Sequence, residues 1–292
     1  MKFHEEVRLK APAKIDLGLN AFWNKRTGKY DTFGIMQSIA LFDDVIIRKA
    51  GLCGFKIFCN DKTLEKDKSG FIYEFIRKMI EKYEINCGVV IKIFRRIPKG
   101  NDLGEEASIC VAILKGFAKL FDLRISKYQA LQLCSEYGRD MVFCFLNGTV
   151  FVNSNGGLKH LAALPRVFVL IVEMSFNFSR EDIFNELNSK KISFYSERAS
   201  KLIYAINNRK LKLISRNLYN ELETFICFLE PKIKEIKNFI LQNDALGVNL
   251  NGFGKCMFCF YSDFDKAKKT GEKLEKKFLG TKSLVTKVVQ SE

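Results

Sequence analysis

The spacing of apolar residues switches repeatedly between the strand period and the helix period along this chain, without regular strand–helix–strand alternation. Phe71, Ile72, Phe75, Ile76, Met79 and Ile80 predict a helix over 71–83. Positions 109, 110, 113, 114, 117, 120 and 121 predict one over 107–121, and 126–137 reads as another, closed by Gly138. Strand patterns occupy 6–20 (interrupted at Pro12), 36–48, 55–59, 89–94 and 143–152. After Pro165 come a strand at 167–172, helices at 180–187, 197–207, 211–215 and 231–242, and a loop or strand edge at 247–253. A strand at 255–261, a helix at 263–278 and a strand at 283–289 complete the pattern. This order favours an α+β class over a doubly wound sheet. With 292 residues and about 150 residues per domain, two domains are expected, 1–164 and 165–292.

Composition narrows the function classes. The chain carries 48 basic and 33 acidic residues, a net charge of +15, which suits anionic partners without choosing among them. The basic residues are scattered, and the densest stretch, Lys266–Lys277, contains Glu272 and Glu275 and reads as a solvated helix face. With no basic block, nucleic acid has charge alone in its favour and is not an expected partner, and no membrane partner is expected. Nine cysteines, an odd number in apolar contexts, argue against a disulfide framework and for reduced core residues of a cytoplasmic protein. Cys256 and Cys259 have CxxC spacing but sit in a strand-like run with no second pair. Two histidines exclude a histidine-rich metal site. The opening MKFHEEVRLK has no apolar core of a signal peptide, and the run Val167–Val172 is six residues where a membrane helix needs about 20.

Four segments combine glycine, proline and chargeable residues at element boundaries: Ala11-Pro-Ala-Lys14-Ile-Asp16, Ile97-Pro98-Lys99-Gly100-Asn101-Asp102-Leu103-Gly104-Glu105-Glu106-Ala107-Ser108, Tyr137-Gly-Arg-Asp140 and Leu250-Asn-Gly252-Phe-Gly254. A glycine-containing loop that opens into a helix is a candidate anion site, because free backbone N–H groups and the helix dipole converge there. Singly, each segment reads first as an ordinary turn.

In order and spacing the segments resemble the GHMP kinase superfamily, in the branch that acts on 4-diphosphocytidyl-2-C-methyl-D-erythritol. APAKIDLGL at 11–19 is similar to the family's APAKxNLxL, and KRTGKYDTFGIMQSIALFD at 25–43 to KRxDGYHEIxTxMQxIxLxD. Ile97–Ala112 lies against the phosphate loop IPxxxGLGGGSSxAA, YGRDMVFCFLNGTV at 137–150 against LGADVPFxxxGGTA, Asn220–Glu223 against NDLE, and ALGVNLNGFGKCMF at 245–258 against ALGAxMSGSGPTVF.

The resemblance implies a two-domain fold, the N-terminal domain like ribosomal protein S5 domain 2 and the C-terminal domain ferredoxin-like. It implies an ATP- and Mg2+-dependent kinase of the non-mevalonate isoprenoid route that phosphorylates the substrate's 2-hydroxyl. Asp140 would take the hydroxyl proton and Lys14 would favour its ionised form. The loop Pro98–Ser108 would hold the phosphates, with Ser108 near Mg2+ and Lys99 offsetting part of the acidic loop. Asp16, Tyr30, Asp31, Phe184, Gly252 and Gly254 would face the substrate, with Tyr30 and Phe184 on either side of the cytosine ring. Oligomeric state is left open.

The chain also departs from the family pattern. Asp102, Glu105 and Glu106 replace glycines of the phosphate loop, and Ala107 replaces one of its paired serines. Asp31 stands for a histidine, Asp16 for an asparagine, and Asn251 and Phe253 for serines. Carboxylates facing a triphosphate repel it unless Mg2+ intervenes, and Glu105 and Glu106 are expected to occupy the helix N–H groups themselves. The alternative is a protein of this fold that has lost phosphoryl transfer and only binds a ligand or partner.

Overall fold

The computed structural model describes residues 5–24, 29–51, 54–153, 157–176, 178–189 and 197–289. Lys25–Gly28, part of the substrate segment quoted above, lie outside them. In chain order the elements begin with β1 (Glu6–Asn24), β2 (Lys29–Ala50), β3 (Phe55–Cys59), α1 (Lys62–Lys66), α2 (Phe71–Lys82) and β4 (Gly88–Phe94). They continue with α3 (Glu105–Leu120), α4 (Lys127–Glu136), α5 (Arg139–Leu146), β5 (Thr149–Val152), β6 (Leu158–His160), β7 (Phe168–Met174), α6 (Arg180–Ser189) and α7 (Glu197–Asn207). The last are α8 (Leu211–Arg216), β8 (Tyr219–Asn220), α9 (Glu223–Leu229), α10 (Lys232–Gln242), β9 (Gly247–Asn251), β10 (Cys256–Tyr261), α11 (Phe264–Lys277) and β11 (Thr281–Lys287). Backbone contacts group them into two compact units. One comprises Met1–Ala13, Leu41–Lys99 and Gly104–Leu146, the other Lys14–Ala40, Gly100–Leu103 and Asn147–Glu292.

In the first unit, Asp44–Ala50 of β2 pair antiparallel with β4, which pairs parallel with β3. Helix α3 supplies much of the core: Ile109, Ile113, Leu114, Phe117 and Leu120 are buried. A Cβ on Gly116 would stand 2.5 Å from Ile47 Cδ1 and 2.8 Å from Leu9 Cδ1, so glycine is what lets the helix lie this close to the strands. In the second unit β7, β9, β10 and β11 form an antiparallel sheet in the order β11-β7-β10-β9, and Gly18 and Leu19 of β1 pair parallel with β8. Its core gathers Leu170, Val172, Leu222, Ile226, Ile236, Leu250 and Met257.

Two expectations change. Pro12 does not interrupt β1, which runs unbroken from Glu6 to Asn24. The β8 pairing of β1 is at Gly18 and Leu19, away from Pro12, so the proline stands where the strand has β2 alone as neighbour, a place where a proline is tolerated. Residues 143–152 are not one strand. The helix α5 runs to Leu146, and Asn147 and Gly148, both at positive φ, turn the chain into β5. The continuous apolar run 141–146 fits either element, and an acid at Asp140 in the first turn favours the helix. Of the two readings for 247–253, loop or strand edge, the strand holds over Gly247–Asn251: β9 is fully buried and is the end strand of its sheet.

Cys256 and Cys259 both lie buried in β10, as expected of strand core, and three residues apart they point to opposite faces. Among the described residues no three His, Cys, Asp or Glu side chains are grouped as metal ligands, and no helix is long and apolar enough to cross a membrane.

Candidate active site

In the second unit, the alternation of β1 puts Lys14 and Asp16 on one face and Ile15, Leu17 and Leu19 on the other. Lys14 and Asp16 are buried, and Lys14 Nζ donates to Asp16 Oδ2 at 2.7 Å. An ion pair removed from water survives only if its members hold one another closely, and this pair does. The Lys14 N–H donates to the Leu103 carbonyl at 2.8 Å. The Asp16 N–H donates to Asn251 Oδ1 at 2.8 Å, and Asn249 Nδ2 donates to the Asp16 carbonyl at 3.2 Å. The asparagines of β9 thereby lock the strand that carries the lysine.

The same unit contains Gly100–Leu103 and the turn after β9, which the sequence treats as separate motifs. Asn251 Nδ2 donates to the carbonyls of Asn101 (3.1 Å) and Asp102 (2.8 Å), and the Phe253 N–H donates to Asp102 Oδ2 at 2.9 Å. Arg180, the first residue of α6, donates to Asp102 Oδ1 at 2.7 Å and lies over the Phe253 ring at 4.3 Å. Three departures from the family pattern, Asp102, Asn251 and Phe253, therefore touch one another. Asp102 holds φ +54°, so the backbone keeps the left-handed conformation natural to glycine while the side chain fastens the turn. A Cβ on Gly252 would stand 2.3 Å from Asp102 Cβ, which explains the glycine opposite it. Asp102→Ala is expected to destabilise the protein by about 1 kcal/mol more than Asp102→Gly in urea unfolding, because both lose the fastening but only alanine is strained at this φ. Equal losses would show that the left-handed conformation is not imposed here.

Tyr30 and Phe184 stack on each other, centroids 5.5 Å apart and planes 15° apart; Trp23 packs edge-on to Tyr30 and Phe253 edge-on to Phe184. A ring inserted between two others needs about 7 Å, twice a van der Waals contact of about 3.5 Å. The two rings are thus brought together as proposed partners, with the slot closed. Asp31 is exposed and its Oδ1 accepts the N–H of Thr32 at 2.8 Å. Gly254, at φ +88°, closes its turn by donating its N–H to the Asn251 carbonyl at 2.9 Å.

In the first unit, Gly104 (φ +74°) turns the chain into α3, and Glu105, Glu106, Ala107 and Ser108 form its first turn. Ser108 Oγ is buried without a hydrogen-bond partner. Glu105 is buried. Glu106 reaches the surface, and among the described residues it accepts no hydrogen bond, so it does not occupy the helix N–H groups as expected. Its carboxyl is held above the usual range, first by partial removal from water and then by the neighbouring Glu105 charge. Pro98 leads to Lys99, whose Nζ donates to Thr63 Oγ1 at 2.9 Å. Beside them sits Arg95, buried, with NH1 on Asp61 Oδ2 at 3.2 Å and with Nε and NH2 unpartnered. The sequence offered no sign of Arg95, one of many scattered basic residues. Asp140 lies in the first turn of α5, 3.5 Å from Arg139 Nε.

The segment 70–148 matches the family model of the GHMP kinases N terminal domain, and 202–279 that of the GHMP kinases C terminal domain. The chain is 30% identical over 264 residues to the 4-diphosphocytidyl-2-C-methyl-D-erythritol kinase of Acetivibrio thermocellus, covering 90% of this chain and 93% of that one. The chain belongs to the GHMP kinase family. A second enzyme of the same name, from Thermoanaerobacter pseudethanolicus, is 27% identical over 272 residues, covering 93% of each chain. Among solved structures, this GHMP kinase matches a homoserine kinase from Cytophaga hutchinsonii with TM-score 0.80 at 20% identity, covering 100% of this chain and 97% of the other. It matches a 4-(cytidine 5'-diphospho)-2C-methyl-D-erythritol kinase with TM-score 0.77 at 19% identity, covering 98% and 100%. These place it in the two-domain α+β fold of small-molecule kinases.

A nucleotide triphosphate fits the first turn of α3 in part. The unpartnered Ser108 hydroxyl, the two unpartnered nitrogens of Arg95 and the helix N-terminus suit phosphate oxygens, while Glu105 and Glu106 oppose them. A divalent cation between carboxylates and phosphates resolves that opposition.

Proposed function

We propose that this GHMP kinase transfers the γ-phosphoryl group of ATP to the 2-hydroxyl of 4-diphosphocytidyl-2-C-methyl-D-erythritol, a step in isoprenoid precursor synthesis. The observation that carries the reading is the whole-length similarity to enzymes of that name. When bound, ATP supplies the phosphoryl group and Mg2+ the positive charge that draws electrons from it. The chain's own residues supply the rest. Asp140 accepts the proton of the attacking hydroxyl, and Lys14 contributes a fixed positive charge that favours the ionised oxygen. The backbone N–H groups of the loop Pro98–Ser108 bind phosphate oxygens, Ser108 offers its hydroxyl to them or to Mg2+, and Arg95 and Lys99 offset the loop's carboxylates. The Tyr30–Phe184 pair separates to admit the cytosine ring; Asp16, Asp31, Gly252 and Gly254 complete the substrate side.

A second reading, a ligand-binding protein of this fold without phosphoryl transfer, is favoured by the acidic first turn of α3. Calorimetric titration of ATP separates the two. We expect weak binding in EDTA and strong dependence on Mg2+, with Glu105→Gly/Glu106→Gly strengthening Mg2+-free binding. The wild type should also bind Mg2+-free ATP better as pH falls toward the raised pKa of Glu106, because the proton it takes up removes a negative charge facing the triphosphate. Tight binding in EDTA at neutral pH would defeat the repulsion argument. ATP binding absent from both proteins, with no ADP released on adding the erythritol substrate, would establish the second reading.

A further inference from the structure

Outside these residues, the second unit contains a cavity of about 460 Å3 formed where α7, α8, α9 and α10 meet β8. Its walls carry four cations, Arg198, Arg216, Lys234 and Lys237, and one carboxylate, Glu223. Lys237 is paired with Glu223. Among the described residues Arg198, Arg216 and Lys234 have no acidic partner. Two of these cations sit where helix physics disfavours them: Arg198 in the first turn of α7 and Lys234 in the first turn of α10. The N-terminal end of a helix is already positive, so a cation there lowers stability unless an anion joins it. Arg216, in the last turn of α8, suits its own helix and still faces the same space.

We infer that this cavity binds a small diphosphate. Like charges brought onto one concave wall repel one another, and an anion of matching charge removes the repulsion. Four cations and one carboxylate leave a surplus of three positive charges, which complements a diphosphate group better than a single phosphate. Two arginines provide planar forks suited to paired phosphate oxygens. The positive side chains converge from three helices on one open concavity rather than forming an extended stripe, the arrangement expected for a compact ligand rather than a polynucleotide. The cavity exceeds a bare diphosphate and has room for a substituent on it.

The test is calorimetric titration of the full chain with inorganic pyrophosphate in EDTA at fixed ionic strength, beside orthophosphate. We expect pyrophosphate to bind more tightly than orthophosphate. Arg216→Gln/Lys234→Gln should weaken it by about tenfold or more, since each substitution removes a charged donor from the anion. Both side chains are exposed, so the variant should fold, and its urea midpoint checks this. Lys268→Gln/Lys276→Gln on α11 removes the same charge elsewhere and should leave the affinity unchanged. No detectable pyrophosphate binding by the wild type would overturn the inference. So would unchanged affinity in Arg216→Gln/Lys234→Gln, or an equal loss in the α11 variant, which would mean that net charge alone attracts the anion.

Discussion

Asp140→Asn is expected to lower kcat for phosphoryl transfer to 4-diphosphocytidyl-2-C-methyl-D-erythritol by about 10²–10⁴, the usual worth of a positioned general base. Asparagine has the shape of aspartate but cannot take a proton from the hydroxyl. The fold should tolerate the change. Asp140 stands in the first turn of α5 with its side chain 38% exposed, and its ion pair with Arg139 is a loose 3.5 Å contact. ADP release under saturating ATP and substrate measures the effect, and the urea midpoint should stay nearly constant. A fall of less than about tenfold would remove Asp140 from the role of base.

The second large effect is on stability. Lys14→Met should destabilise the protein by about 3–5 kcal/mol, because it leaves the carboxylate of Asp16 buried without its cation. The exposures of the two side chains, 1% and 0%, put the pair in the class where losing one partner costs far more than losing both. Lys14→Met/Asp16→Leu should therefore recover a large part of the loss. Urea unfolding of the two single variants and the double variant closes the cycle, and it is independent of whether any of them turns over. If Lys14→Met unfolded within about 1 kcal/mol of wild type, the burial of this pair would be refuted.

The site was unevenly legible in the sequence. The glycine-punctuated loop before a helical period at 109–121 was enough to locate α3, because glycine conformations and helix periodicity are local properties, while the expectation that Glu106 would occupy the helix N–H groups was not met. Lys14 and Asp140 stood out by motif. Arg180 and Arg95 did not. Arg180 is 78 residues from Asp102 in sequence, and nothing local to α6 signals its partner. The closed stack of Tyr30 on Phe184 was likewise out of reach, since a ring spacing depends on the packing of segments more than 150 residues apart.

The departures from the family pattern show the division most clearly. By itself the sequence determined that Asp102, Asn251 and Phe253 stand where smaller residues are usual, that Glu105 and Glu106 load the phosphate loop with negative charge, and that the chain alternates in an α+β order. Those are matters of identity and period. Only the tertiary structure decided that Asp102, Asn251 and Phe253 meet. There the Asp102 carboxylate satisfies the N–H of Phe253 and the guanidinium of Arg180 while its backbone keeps a glycine-like φ. It also decided that the lysine of β1 is matched by the aspartate two residues on, both on one buried face. The reason is physical: a hydrogen bond or an ion pair in the interior depends on which groups long-range packing removes from water together, and spacing along the chain does not encode that.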